Sequence, residues 1–179
     1  MLTSLHWILT RLVAMSNRSK RKLTLLEMYN GLGAHTIPLA KCGFLSRIVA
    51  VELDERLVRA CKHNVELNGC ADVEVYKGDA AEWARRAMKR DSRRAKSAAA
   101  ECCFDVLLVD PPRDGLTEDV CRMAKEGTFA HVLYVSCGRR ALLRDLGSLC
   151  SAFDVADLAV IDLFPGTDAV ETLVHLTRR

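Results

Sequence analysis

The stretch that decides the fold is LTLLEMYNGLG, residues 23–33. An apolar run of strand length ends in Asn30-Gly31, and a second glycine follows at Gly33. A strand breaking into a glycine turn is the opening of a βα unit, where Gly31 and Gly33 allow a tight bend and close approach of a ligand to the backbone. The pair is G-x-G alone. It lacks the third glycine of the dinucleotide fingerprint, and no Walker lysine follows to hold phosphates.

Outward from this turn the pattern repeats. A short helix is predicted over 35–41, strand RIVAVEL over 47–53, a helix over 54–68 and strand VEVYKGD over 73–79. FDVLLVD (104–110) is close to continuously apolar, as expected of a parallel strand buried on both faces. A helix at 117–126, strand HVLYVS (131–136), a helix at 139–150, and strands VADLAVIDL (155–163) and AVETLVHL (169–176) complete the series. Strands separated by helical crossovers predict an α/β, Rossmann-like fold: a mostly parallel seven-stranded sheet with helices on both faces. No internal repeat and no long linker divides the chain, so residues 1–179 are expected to be one domain.

Two segments stand outside this alternation. Residues 1–22 carry five Lys/Arg and no acid, and read as a helix with Leu5, Ile8, Leu9 and Leu12 on one face, followed by a basic turn. The same composition fits a mitochondrial presequence. Residues 81–103 form a basic Ala/Arg/Lys-rich insertion with no apolar stripe beyond Trp83 and Met88. A solvated helix is the favoured reading, beside a disordered insertion or an RNA-facing arm.

Composition excludes several classes. Half the residues are hydrophobic, 27% are charged, and the net charge of +3 is too mild to argue for nucleic acid by itself. No apolar run approaches the ~20 residues of a membrane helix. The eight cysteines form no C-x-x-C and stand at no metal spacing. No metal site is expected, and the thiols are expected to be free in an intracellular compartment, cytoplasmic or nuclear, with mitochondria the option left by the N-terminus.

In such sheets ligands bind beyond the carboxyl ends of the strands. The first loop there is Tyr29 to Gly33. Glu52 ends the second strand, 21 residues after Gly31, placed to accept hydrogen bonds from ribose hydroxyls. Asp79 ends the third strand and is placed for an exocyclic adenine amine, and Asp110 ends the fourth. Three acids at successive strand ends, with no phosphate-binding device, resemble the S-adenosylmethionine-dependent methyltransferase fold. The cofactor set is then Tyr29, Gly31, Gly33, Glu52, Asp79 and Asp110, and the cofactor S-adenosyl-L-methionine.

The fourth loop is DPPRDG (110–115), with Arg113 where methyltransferases acting on base amines carry an aromatic residue. LLEMYNGLGAHTIPLA, VAVELDERLVRACKHNVELNG, FDVLLVDPPRDGL, LYVSCGRRALLRDL and DLFPGTDAVETLVHL, in this order, resemble the catalytic domain of the RNA uridine-5-methyltransferases over most of residues 23–177. The resemblance implies 5-methyluridine formation in RNA, tRNA rather than ribosomal RNA. It assigns Cys137 as nucleophile and Glu171 as general base, with Asp110, Pro111 and Arg113 on the substrate. The chemistry explains the need. Carbon 5 of uracil is a poor nucleophile until a thiolate adds at carbon 6, and a base must then remove the carbon-5 proton so that the thiolate can leave. Cys137 ends a strand and precedes a helix, beside Arg139 and Arg140, a setting that favours a thiolate.

Departures are visible as well. The family's upstream glutamine motif has no counterpart, the chain having no Gln at all, and Asn30 and Asp168-Ala169 replace a frequent cysteine and histidine. The family's extra RNA-binding domains and iron–sulfur cluster are also missing, as in an isolated catalytic domain of a longer protein or a minimal member. Two alternatives stay open: another RNA methyltransferase, such as a cytosine-C5 enzyme, and a non-catalytic cofactor- or RNA-binding remnant.

Overall fold

The computed structural model describes residues 2–94, 103–162, 165–166 and 170–179. Seven strands and six helices follow one another as α1 (Leu2–Ser19), β1 (Leu23–Met28), α2 (Thr36–Lys41), β2 (Leu45–Glu52), α3 (Glu55–Leu67), β3 (Val73–Lys77), α4 (Ala80–Arg94), β4 (Val106–Val109), α5 (Glu118–Glu126), β5 (His131–Ser136), α6 (Arg139–Leu149), β6 (Phe153–Asp162) and β7 (Val170–Arg178). They build one sheet in the order β3-β2-β1-β4-β5-β7-β6. Strands β1 to β5 are parallel, and β7 is antiparallel to both β5 and β6. The expected fold class is the observed one.

Burial follows position in the sheet. Every residue of β4 is buried, and so are five of the six in β1 and in β5, so their sequences run apolar without alternation. The edge strand β6 is mostly exposed outside Phe153. On one face the core is closed by α4, α5 and α6, through Ala84, Val120, Met123, Leu142 and Leu149. On the other it is closed by α1, α2 and α3, through Trp7, Ile8, Leu12, Leu39 and Val65.

The N-terminal stretch is α1, and its buried stripe is rotated from the expected one. Ile8 and Leu12 are fully buried, joined by Trp7 and Met15, while Leu5 and Leu9 are only partly covered. The basic turn after it is tied down: Arg21 reaches both carboxylate oxygens of Asp105, at 2.9 and 2.5 Å, as β4 approaches.

Residues 80–94 are the crossover helix α4. Its apolar stripe, unseen in the sequence, consists of alanines: Ala80, Ala81 and Ala84 are buried, with Trp83, Ala87 and Met88 packed against the same core. Small side chains give a weak hydrophobic signal but let the helix lie close to the sheet. Part of the basic charge is spent locally, Arg86 on Glu82 and Arg85 on Asp119 of α5. Residues 95–102 of the expected insertion lie outside the described residues. No helix among the described residues is long and apolar enough to cross a membrane.

Candidate active site

The carboxyl ends of β1 to β5 and the amino end of the antiparallel β7 meet at one edge of the sheet. The candidate residues from Tyr29 to Gly33, with Glu52, Asp79, Asp110, Cys137 and Glu171, stand there.

In the β1–α2 loop three of seven residues are left-handed: Tyr29 at φ 63°, Gly31 at 58° and Gly33 at 91°. Gly33 is required sterically, since a Cβ there would stand 2.9 Å from the Cys61 sulfur on α3. Gly31 faces open space, so a ligand can approach its backbone. Glu52 links this loop to the next. Its Oε2 accepts from Gly31 N–H at 2.9 Å, and its Oε1 accepts from Leu53 and Asp54 N–H at 2.8 and 2.9 Å. A carboxylate has about four lone-pair sites, which leaves about one for a hydroxyl. Asp79 is exposed, and its Oδ1 caps α4 by accepting from Glu82 N–H at 2.9 Å. Burial, with Asp79 nearby, pushes the Tyr29 hydroxyl up to about 12.

Asp110 lies in the middle of the edge. Burial first and the Glu171 carboxylate second push its carboxyl up to about 7, and its Oδ2 is 4.0 Å from His35 Nδ1. His35 is itself buried, its Nε2 has no partner among the described residues, and burial lowers its pKa. Beneath them lies Glu27, which sequence reasoning passed over. It is 2% exposed, accepts a 2.7 Å hydrogen bond from the Thr36 hydroxyl, and is pushed by burial up to about 8. The signal was available: a carboxylate in a strand buried on both faces.

Because the folded carboxyl of Glu27 holds its proton to about pH 8 against an ordinary value of 4.5, its contribution to stability is complete below 4.5 and fades as pH rises through 8. Glu27→Gln is therefore expected to flatten the fall of unfolding free energy between pH 5 and 8, by on the order of 1 kcal/mol per pH unit. Urea midpoints taken across that range check it.

Cys137 follows β5, and Glu171 is near the start of β7, just after Val170. The β5–β7 ladder ends on Ser136 opposite Thr172, so Cys137 and Glu171 are the next residues on the two chains. Cys137 is exposed. Glu171 is partly buried, its Oε2 has no partner among the described residues, and burial raises its pKa. Elsewhere Cys61, Cys70 and Cys121 are buried, with burial pushing the thiols of Cys61 and Cys121 up to about 11. Among the described residues only Cys103 is as exposed as Cys137. Residues 164 and 167–169 of the FPGTDAVE motif (164–171), residue 163 before it, and Cys102 lie outside the described residues.

The DPPRDG loop is set against Cys137 by contacts that the sequence did not announce. A Cβ at Gly138 would stand 2.3 Å from the Arg113 carbonyl oxygen. Asp145, buried on α6, accepts from Leu116 N–H and from the Tyr134 hydroxyl, both at 2.7 Å, and pairs with Arg144. Arg144 in turn donates to the carbonyls of Asp114 and Leu116 at 2.8 and 3.2 Å. Gly138→Ala should push the Arg113 backbone away from Cys137 and lower single-turnover methyl transfer on the order of 10²-fold, the usual cost of about 1 Å of misplacement.

A family model described as tRNA (Uracil-5-)-methyltransferase matches residues 4–179. A tRNA/tmRNA (uracil-C(5))-methyltransferase of Nitratiruptor sp. is 36% identical over 86% of the chain, which spans 42% of that relative. A 23S rRNA (uracil(747)-C(5))-methyltransferase of Pyrococcus abyssi is also 36% identical, over 86% of this chain and 33% of its own length. The chain thus spans less than half of the relatives it resembles. Among solved structures, the Pyrococcus abyssi tRNA (uracil-54, C5)-methyltransferase in complex with S-adenosyl-L-homocysteine superposes with a TM-score of 0.70 at 25% identity, over 93% of this chain and 38% of that one. With the motifs gathered at one sheet edge and a family match over nearly its whole length, the chain belongs to the tRNA (uracil-5-)-methyltransferase family.

Proposed function

We propose that residues 1–179 form one catalytic domain that transfers a methyl group from S-adenosyl-L-methionine to carbon 5 of a uridine in RNA, tRNA in preference to ribosomal RNA. The observation that carries this reading is the register of β5 and β7, whose ladder ends on Ser136 opposite Thr172 and so leaves the Cys137 thiol and the Glu171 carboxyl just beyond its end, at the edge where the glycine turn and the strand-end acids also lie. Nucleophile and base are the two groups that uracil-C5 chemistry requires.

The residues present suit the cofactor. Gly31 and Gly33 open the turn, Tyr29 flanks it, and Glu52 keeps about one acceptor site for a ribose hydroxyl. Asp79 uses only Oδ1 on its helix cap, leaving Oδ2 for the adenine edge, and Asp110 stands between cofactor and substrate. When bound, S-adenosylmethionine supplies an electrophilic methyl group. The chain does the rest. The Cys137 thiolate adds to carbon 6 and turns the uracil into an enolate nucleophilic at carbon 5. After methylation the Glu171 carboxylate removes the carbon-5 proton, the carbon 5–carbon 6 double bond re-forms, and the Cys137 sulfur leaves as thiolate. Asp110, with a carboxyl near half-protonation at neutral pH, can donate to or accept from the uracil edge, while Pro111 and Arg113 shape the loop that holds it. An RNA substrate places this activity inside the cell.

The test is methyl transfer from labelled S-adenosylmethionine to unmodified tRNA and ribosomal RNA transcripts, followed by nucleoside mass spectrometry. Label in 5-methyluridine, greater from tRNA, supports the reading. Label in 5-methylcytidine, or cofactor binding without transfer to either RNA, overturns it.

A further inference from the structure

Three arginines surround Cys137. Arg113 comes from the β4–α5 loop, and Arg139 and Arg140 open α6. All three are exposed. The backbones of Arg113 and Gly138 are in contact, so the three arginines stand on adjoining stretches of chain at the rim beside Cys137. No carboxylate among the described residues pairs with any of them. Six other exposed arginines contrast with them: Arg56 and Arg59 pair on α3, Arg85 and Arg86 on α4, Arg122 on α5 and Arg179 at the end of β7, each with a neighbouring acid, while exposed Arg18, at the end of α1, has no acid partner among the described residues and stands at the opposite end of the sheet. Nor does α6 offset the patch, since it has no acid in its first turn and Gly138 supplies no side-chain cap. Two cations on a helix's positive end oppose its dipole. The chain keeps them there with no acid among the described residues to offset them.

We infer that Arg139 and Arg140, with Arg113, form a phosphate clamp that holds the RNA strand on either side of the uridine presented to Cys137. The inference rests on the RNA-methyltransferase reading above and adds to it where the polynucleotide backbone lies. Guanidinium groups suit phosphate because their planar fork donates two parallel hydrogen bonds. Contacts to phosphate carry no base information, so the patch supplies affinity and register, leaving the choice of base to the groups beneath it. Its place next to the thiol fits a flipped or looped-out nucleotide, whose flanking phosphates must come close to the rim of the site.

The test compares the wild type with Arg139→Ala/Arg140→Ala, binding an unmodified tRNA transcript by fluorescence anisotropy over a series of salt concentrations. The slope of log Kd against log salt should fall by about 0.7–0.9 for each phosphate that the variant no longer neutralises, about 1.4–1.8 in total. KM for the transcript at low salt should rise at least about tenfold. Arg139→Lys/Arg140→Lys, which keeps both charges, should retain the wild-type slope. Lys20→Ala/Lys22→Ala removes the same charge from the opposite end of the sheet and should leave the slope within about 0.3 of wild type. An unchanged slope in the alanine pair, or an equal drop in the Lys20/Lys22 pair, overturns the clamp while leaving the enzyme reading intact. A wild type that neither binds nor methylates the transcript would instead overturn the RNA reading itself.

Discussion

Cys137→Ala is expected to lower methyl transfer by at least about 10³-fold, on the scale at which loss of a covalent nucleophile removes turnover. Rate alone would not separate a nucleophile from a merely important side chain, so the decisive readout is covalent. In RNA containing 5-fluorouridine the atom to be removed from carbon 5 is fluorine. After methylation no base can take it, and the sulfur–carbon 6 bond persists. Wild-type protein should give an adduct stable to denaturing electrophoresis, dependent on S-adenosylmethionine. Cys137→Ala should give none. Cys103→Ala, which removes the other thiol exposed among the described residues, should give as much adduct as wild type. Equal adduct from wild type and Cys137→Ala would end the assignment.

The second large effect concerns Glu171. Proton removal comes after methylation, so Glu171→Gln should still add its thiol and transfer one methyl group. It should then stall, giving a burst of one methyl per protein, an adduct on ordinary uridine RNA, and steady-state turnover reduced by about 10²–10⁴-fold. The pH dependence has a definite sign. Burial raises the Glu171 carboxyl, and only its ionised form accepts the proton. Turnover should therefore rise with pH as this carboxyl ionises. Asp110, held up to about 7 partly by Glu171, titrates as its coupled neighbour. The burst in Glu171→Gln should lose the Glu171 component of that rise. A variant with neither burst nor adduct would place Glu171 before methyl transfer and sink its role as the final base.

Much of this was legible in advance because the parallel strands are buried on both faces and announce themselves as apolar runs. The loops that follow them are short enough for Gly31, Glu52, Asp79, Asp110 and Cys137 to be assigned to one edge from sequence alone. Three kinds of information were not. The α4 stripe is made of alanines, whose small area gives little periodic signal against so many arginines. Glu171 could be named from its motif, but its place at the end of the β5–β7 ladder, where Cys137 follows β5, depends on register, which only the paired strands fix. The supports were overlooked. Asp145 shares the stripe of Ala141 and Leu149, four residues to either side, and an acid there asks for buried donors. Leu116 and Tyr134 provide them. Glu27 and His35 were missed for the same reason: a single polar residue inside an apolar run reads as tolerated, although burial is what gives it a consequence.

The reversed direction of β7 divides the enzyme into two mechanical halves. The Cys137 thiol and the Glu171 carboxyl stand at the end of one hydrogen-bonded ribbon, β5 with β7, whereas Glu52 and Asp79, the acids proposed for the cofactor, end or follow strands on the far side of β1 and β4. Under the proposed roles, substitutions that shift β2 or β3 are expected to change cofactor affinity while leaving the β5–β7 ribbon beside Cys137 and Glu171 in place.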